Sequence, residues 1–166
     1  MGRVSGKKAF ITGGAQGLGE ATAHMLAREG AIVTVTDING EGAANVCDAI
    51  NAAYGEGTCF AWQQDVTDAD QWPVVLKQAH DAMDGLNVLV NNAGIGSLGS
   101  VEDEAYDAFQ HVMKVDVDSI FLGCKYAIPL MRDHGLGSII NISSIAGIVA
   151  SGNYVSYNTA KAAVRH

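Results

Sequence analysis

Five short runs rich in β-branched residues recur along the chain, with longer helix-patterned stretches between them. That alternation is the signature of a parallel sheet joined by crossover helices. The runs are KAFIT (Lys8–Thr12), IVTVTD (Ile32–Asp37), TCFAW (Thr58–Trp62), LNVLVN (Leu86–Asn91) and SIINIS (Ser138–Ser143). Helices are expected near Gly17–Arg28, Gly40–Ala53, Asp68–Met83 and Glu102–His134, and a further one begins near Ser156. The expected fold is a doubly wound, Rossmann-like α/β domain over residues 1–166, without internal repeat, low-complexity tract or second-domain linker.

The longest helix carries the most detailed expectations. Ser100 stands three positions before Asp103, the spacing of a capping box, and marks its start. Tyr106, Phe109, Met113, Val117, Phe121, Cys124 and Ile128 recur every three or four residues, which predicts a buried stripe. Pro129 should kink that helix or loosen its end, whereas Pro73 sits early enough in its own helix to be harmless.

Charge narrows the function classes. With 18 acidic against 10 basic residues the formal net charge is −8, and no basic stripe exists to track a polyanion, so nucleic acid is not an expected partner. The 3 cysteines, Cys47, Cys59 and Cys124, are scattered without metal or disulfide spacing and read as reduced thiols. No apolar run reaches signal-peptide or membrane-spanning length, so a cytoplasmic protein is expected, with neither membrane nor metal.

ITGGAQGLGE joins the first strand to the first helix and sets Thr12, Gly13, Gly17 and Gly19 in the pattern TGxxxGxG. Glycines there let the backbone approach a pyrophosphate, whose charge is favoured by the helix N-terminus. A turn that merely uses glycine is the alternative. Asp37 closes the second strand, where a carboxylate accepts hydrogen bonds from the adenosine ribose hydroxyls and repels a 2′-phosphate. With no Arg or Lys adjoining it, and only Gln16 before Gly17, NAD is favoured over NADP; Leu18 and Ile38 flank the same site. A solvated strand-end acid is the bland reading of Asp37.

QDVTD (Gln64–Asp68), NNAG (Asn91–Gly94), NISS (Asn141–Ser144) and YNTAK (Tyr157–Lys161) follow that loop in order. Together they make the whole chain resemble the short-chain dehydrogenase/reductase family. The resemblance implies that Asp65 and Val66 face the adenine, and that Asn91, Ala93 and Gly94 form a wall beside the cofactor. It further implies that Tyr157 is the catalytic acid/base, that Ser144 orients the reacting oxygen while Ser143 is structural, and that Lys161 holds the nicotinamide ribose and acts on Tyr157.

The chemistry explains why these residue types are needed. Taking a hydride from an alcohol carbon requires a base for the hydroxyl proton, yet a free Tyr, at a pKa of about 10, is mostly protonated near neutrality. A cation one helical turn away stabilises the phenolate. A core Tyr beside a snorkelling Lys is the alternative.

One position departs from the family pattern, which carries Asn in the middle of the long helix; KVDVDSIFLG places Asp116 there. An ionised Asp116 would pair with Lys161, weaken its pull on Tyr157 and make the optimum for oxidation more alkaline. A tolerated near-isostere is the other reading.

The resemblance also implies at least two further strands and a substrate loop after His166, so the chain is expected to be the N-terminal portion of a longer enzyme, with SIINIS as an apolar edge. Ile145, Ala146, Ile148 and Val149, with GIGSLG (Gly94–Gly99), should line a pocket for a small apolar alcohol or ketone. Family members commonly pair the long helix and the Tyr/Lys helix, implying a homodimer or homotetramer. The competing class is an NAD-binding module without turnover, or an inactive fragment of such an enzyme.

Overall fold

The computed structural model describes residues 2–132, 135 and 137–166. Its core is a five-stranded, all-parallel sheet in the order β3-β2-β1-β4-β5, built from β1 (Lys8–Thr12), β2 (Ile32–Asp37), β3 (Cys59–Gln63), β4 (Val88–Asn91) and β5 (Ser138–Asn141). The order reverses between β1 and β4, so the crevice at the carboxyl ends of those strands is where a doubly wound sheet binds ligands.

Successive residues of a strand face opposite sides, and β1 feeds two cores in this way. Ala9 and Ile11 pack with Val33, Val35, Val46 and Ile50, beneath α1 (Gly17–Arg28) and α2 (Gly40–Tyr54). Phe10 points the other way, into Trp72, Leu76, Leu89, Val115 and Met131, beneath α3 (Gln71–Met83) and α5 (Ser119–Arg132). Two-sided burial explains why β1 and β4 read as nearly continuous apolar runs and why β2 buries Thr34 and Thr36 as well as its valines.

β1, β2 and α1 occupy the expected residues, while other boundaries move by one to four positions. α3 starts at Gln71 rather than Asp68 because the Asp68 carboxylate accepts the Asp70 N–H at 2.9 Å, closing a turn ahead of the helix. Pro73 lies in its first turn, as expected.

The long helix differs most. It begins at Tyr106, not Glu102, and is divided into α4 (Tyr106–Met113), a π turn (Lys114–Asp118) and α5; the expected end at His134 lies outside the described residues. Ser100 and Asp103 do bond each other, Ser100 Oγ donating to the carboxylate at 2.5 Å, but they close a turn upstream, and Ala105 is the cap position. α5 runs through Pro129 and ends three residues later.

The expected stripe is not the buried face. Tyr106 and Phe121 are 70% and 65% exposed and Ile128 is also exposed, whereas Val112, Val115, Asp116, Ser119, Gly123, Ala127 and Met131 are buried. The large side chains of the stripe lie about one residue, or roughly 100°, around the helix from the sheet-facing side, both before and after the π turn. The small residues of α5 then lie against β4 and α3.

α6 (Val155–Arg165) begins one residue before Ser156 and follows a short 3₁₀ turn at Ile145–Gly147. β5 is exposed along its whole length, and Ile139 and Ile140 are open to solvent. No helix among the described residues is long and apolar enough to cross a membrane.

Candidate active site

One cavity of about 1020 Å³ crosses the carboxyl ends of the strands. Gly13, Gln16, Gly17, Leu18, Asp37, Ile38, Asp65 and Val66 line one half; Ala93, Gly94, Ile95, His111, Ser144, Tyr154, Tyr157 and Lys161 line the other.

In the first half the backbone does the positioning. Gly17 sits at φ +61°, a left-handed conformation that side chains other than glycine adopt at a cost, with open space where a Cβ would be. Gly19 lies behind the groove, not in its lining; a Cβ there would stand 2.2 Å from the Gly13 carbonyl oxygen, so glycine is required for the strand and helix to approach. The cap residue of α1, Gln16, offers its helix no side-chain hydrogen bond, which leaves the first amides open to a ligand.

Asp37 is held in place from both sides: its Oδ2 accepts the Ala15 N–H at 3.1 Å and its Oδ1 the Asn39 N–H at 3.0 Å. Asp65 accepts the Thr67 N–H and hydroxyl, each at 2.8 Å. Neighbouring Gln64 is buried, and its Nε2 has no partner among the described residues, so a donor is left over on the groove wall. An open glycine cradle, a fixed carboxylate and a spare buried donor suit a dinucleotide.

Asn91 stands apart. Its side chain donates to the Asn141 Oδ1 at 2.9 Å, behind the sheet ends, and does not line the groove. Asn92 lines it instead and ties the two halves together, donating to the carbonyls of Thr12 and Gly13 at 2.9 Å each, while Thr12 Oγ1 accepts the N–H groups of Asn92 and Ala93. The Asn92 role was visible only as membership of NNAG; nothing in its spacing distinguishes it from Asn91.

In the second half, α6 carries Tyr157 and Lys161 on one face. The Lys161 ammonium lies 5.6 Å from the centre of the Tyr157 ring. Lys161 is 4% exposed; it donates to the Ile142 carbonyl at 3.0 Å and pairs with the Asp116 carboxylate at 2.9 Å. Asp116 is wholly buried in the π turn, and its other oxygen accepts the Ile95 N–H at 2.8 Å. Ser144 lines the cavity with its Oγ accepting the Ala146 N–H at 3.1 Å, which leaves its hydroxyl hydrogen free. Ser143 instead donates to the Lys161 carbonyl at 2.8 Å and holds α6 in place. Among the described residues, no cluster of three or more His, Cys, Asp or Glu side chains could hold a metal ion.

A parallel sheet with a dinucleotide groove that ends in a Tyr/Lys pair defines a class of nicotinamide-linked folds. Residues 7–166 match the family model for short chain dehydrogenases, and the chain belongs to that family. It is 44% identical over 163 residues to 2,5-dichloro-2,5-cyclohexadiene-1,4-diol dehydrogenase LinX of Sphingobium indicum, a match that covers 98% of this chain and 64% of that protein. It is 40% identical to trans-4-hydroxycyclohexanecarboxylate dehydrogenase of Sinomonas cyclohexanicum, covering 96% of this chain and 62% of the relative. A crystal structure of a short chain dehydrogenase/reductase from Burkholderia phymatum in complex with NAD superposes with a TM-score of 0.93 at 28% identity, over 99% of this chain and 58% of that one. The chain thus spans less than two thirds of the length of these relatives.

Proposed function

We propose that the chain serves an NAD-dependent dehydrogenase acting on a secondary alcohol of an alicyclic ring, or on the corresponding ketone. The observation that carries this reading is the shared groove: Asp37 and the glycine loop at one end, Tyr157 and Lys161 at the other. NAD, when bound, supplies the hydride acceptor. Tyr157, as phenolate, takes the proton of the substrate hydroxyl while the carbonyl forms, and returns it in the reverse direction. Ser144 holds the reacting oxygen through its free hydroxyl hydrogen, and Lys161 is fixed beside the phenol by Ile142 and Asp116. Gly13, Gln16, Gly17, Leu18, Ile38, Asp65, Val66, Ala93 and Gly94 hold the coenzyme, and Asp37 selects against a 2′-phosphate.

The substrate end supports an uncharged ring. Ile95 lines the cavity, whereas Ile145, Ala146, Ile148 and Val149, expected to line it, do not; Ile145, Ile148 and Val149 are exposed. Both named relatives act, by name, on six-membered carbocycles bearing hydroxyl groups. The exposed Tyr106, Phe121 and Ile128 on α4 and α5 suit a self-association face, so a homodimer or homotetramer in the cytoplasm completes the reading.

Reduction of NAD and of NADP, measured with a panel of cyclohexanols, cyclohexanediols and linear secondary alcohols, tests the proposal. Turnover should favour NAD and the ring alcohols. The buried Asp116–Lys161 pair favours one rival, a coenzyme-binding module in which Lys161 is neutralised. That rival gains if NAD binds, no alcohol turns over, and Asp116→Asn creates activity.

A further inference from the structure

The loop between β4 and α4 forms one wall of the cavity, and it is anchored at both ends to residues that adjoin the groups proposed to act there. At its start, the Ile95 N–H bonds the Asp116 carboxylate at 2.8 Å. Further along, Gly99 forms a parallel bridge with Tyr154, its N–H donating to the Asn153 carbonyl at 2.9 Å. Glu104 then reaches back across the loop to the first turn of α6.

α6 needs that contact. Its cap residue, Tyr154, makes no side-chain hydrogen bond to the helix, so the first amides must find partners elsewhere. Glu104 Oε2 accepts the Ser156 N–H at 3.2 Å, while Oε1 accepts the Ser156 hydroxyl at 2.8 Å and the Ser97 hydroxyl. The two hydroxyl oxygens lie 2.7 Å apart, and Ser156 is fully buried. A carboxylate from another element therefore caps the helix at the residue next to Tyr157, and its charge suits the positive end of the helix dipole. The packing is tight: a Cβ on Gly99 would meet the Glu104 Cβ at 2.8 Å.

We infer that Glu104 is a positioning residue for the hydride-transfer site, a latch that fixes the Ile95–Glu104 loop to the start of α6 and thereby sets where Tyr157 stands. The inference rests on the reading of Tyr157 as acid/base, but the latch itself is testable without it.

Hydrogen–deuterium exchange on wild type, Glu104→Gln and Glu104→Ala reads the latch directly. Peptides over residues 95–104 and 153–160 should lose protection together, while those from β1, β2 and α2 keep theirs. Unchanged protection of 153–160 in Glu104→Ala overturns the inference, as does a loss spread evenly over the whole chain. In turnover, kcat should fall roughly ten- to a hundred-fold, the cost of a small misplacement, with the Kd for NAD unchanged. A rise in that Kd equal to the fall in kcat counts against a positioning role. Should Glu104→Ala not fold, Ser97→Ala removes one donor and leaves the helix cap, and it should loosen 95–104 more than 153–160; equal loosening of a distant segment such as β2 sinks the latch. If wild type shows no turnover with any alcohol, the proposed function fails while the exchange result still decides the latch.

Discussion

The two halves of the groove are held by different forces. The half built on β1, β2, α1 and α2 rests on apolar packing: every residue of β1 after Lys8 is buried, and its helices contribute alanines and aliphatic side chains to one cluster. The half built on β5, the π turn and α6 rests on polar contacts around buried charge. β5 is exposed throughout, Lys161 depends on Asp116 and Ile142, and the start of α6 depends on Glu104. Backbone geometry shaped by packing suits a binding site, whereas a reacting proton needs placed charges. The comparison teaches that damage to the first half should be lost as stability and coenzyme affinity, and damage to the second as rate.

The sharpest separation comes from Tyr157→Phe, which keeps the ring that lies beside Lys161 and removes only the phenolic oxygen. We expect kcat to fall by about a thousand-fold, within the range for loss of a general acid/base, with NAD affinity and melting temperature unchanged. Equal loss of affinity and rate would erase the division between the halves.

A stability pair probes the same contrast. Ile11→Ala empties a fully buried site in the first cluster and should cost about 2–5 kcal/mol. Ile140→Ala, on exposed β5, should stay within about 0.5 kcal/mol. Urea denaturation of the two variants beside wild type measures both. Similar costs would show that β5 carries as much apolar packing as β1.

The same difference governed how much of the molecule the sequence disclosed. β1, β2, α1, the glycine loop and Asp37 were legible to the residue, because two-sided burial writes a continuous apolar run and the loop chemistry requires glycine at fixed points. The places of Tyr157 and Lys161 on one helix followed from spacing and resemblance, and the Asp116–Lys161 pair was expected from the departure of Asp116 from the family's Asn together with its charge. The buried face of the long helix was not. The stripe of large side chains pointed to Tyr106, Phe121 and Ile128, which face outward. The sheet-facing residues of α5 are the small Ser119, Gly123 and Ala127, which carry little hydropathy signal, and the Lys114–Asp118 π turn leaves no propensity signal either. Glu104 escaped as well, since its partners Ser97 and Ser156 lie 7 and 52 residues away and only the fold brings them to it.

Asp116 offers a subtler cut between charge and shape. Asn at this position keeps the shape and one oxygen to accept the Ile95 N–H, while its Nδ2, a donor, stands where Oδ2 faced the Lys161 ammonium, so both the ion pair and the negative charge go. Lys161 would then act on Tyr157 undiminished, and the limb of the pH–rate profile for alcohol oxidation should move toward lower pH. Profiles of wild type and Asp116→Asn measured over the same buffers decide this; coincident limbs would mean that the Asp116 charge is silent.

The smallest effect belongs to Glu104 and has a definite sign. The Ser97 hydroxyl, ahead of the Ser156 hydroxyl and N–H, outweighs desolvation and holds the Glu104 carboxyl below its ordinary range. A carboxyl lowered on folding contributes stability that is complete above its unfolded pKa and disappears as pH falls through the folded value. The first turn of α6 should therefore keep its protection through neutral and mildly acidic solution and loosen only below the usual carboxylate range. Because Glu104 is only part-buried, the effect should be modest and weakened by salt. In Glu104→Gln the acid-dependent part should vanish, leaving a protection that is flat across this window, lower than wild type at neutral pH and converging with it below the carboxylate range. An acid-dependent loss that persisted in Glu104→Gln would assign the titration to a different carboxylate and leave the latch without its charge.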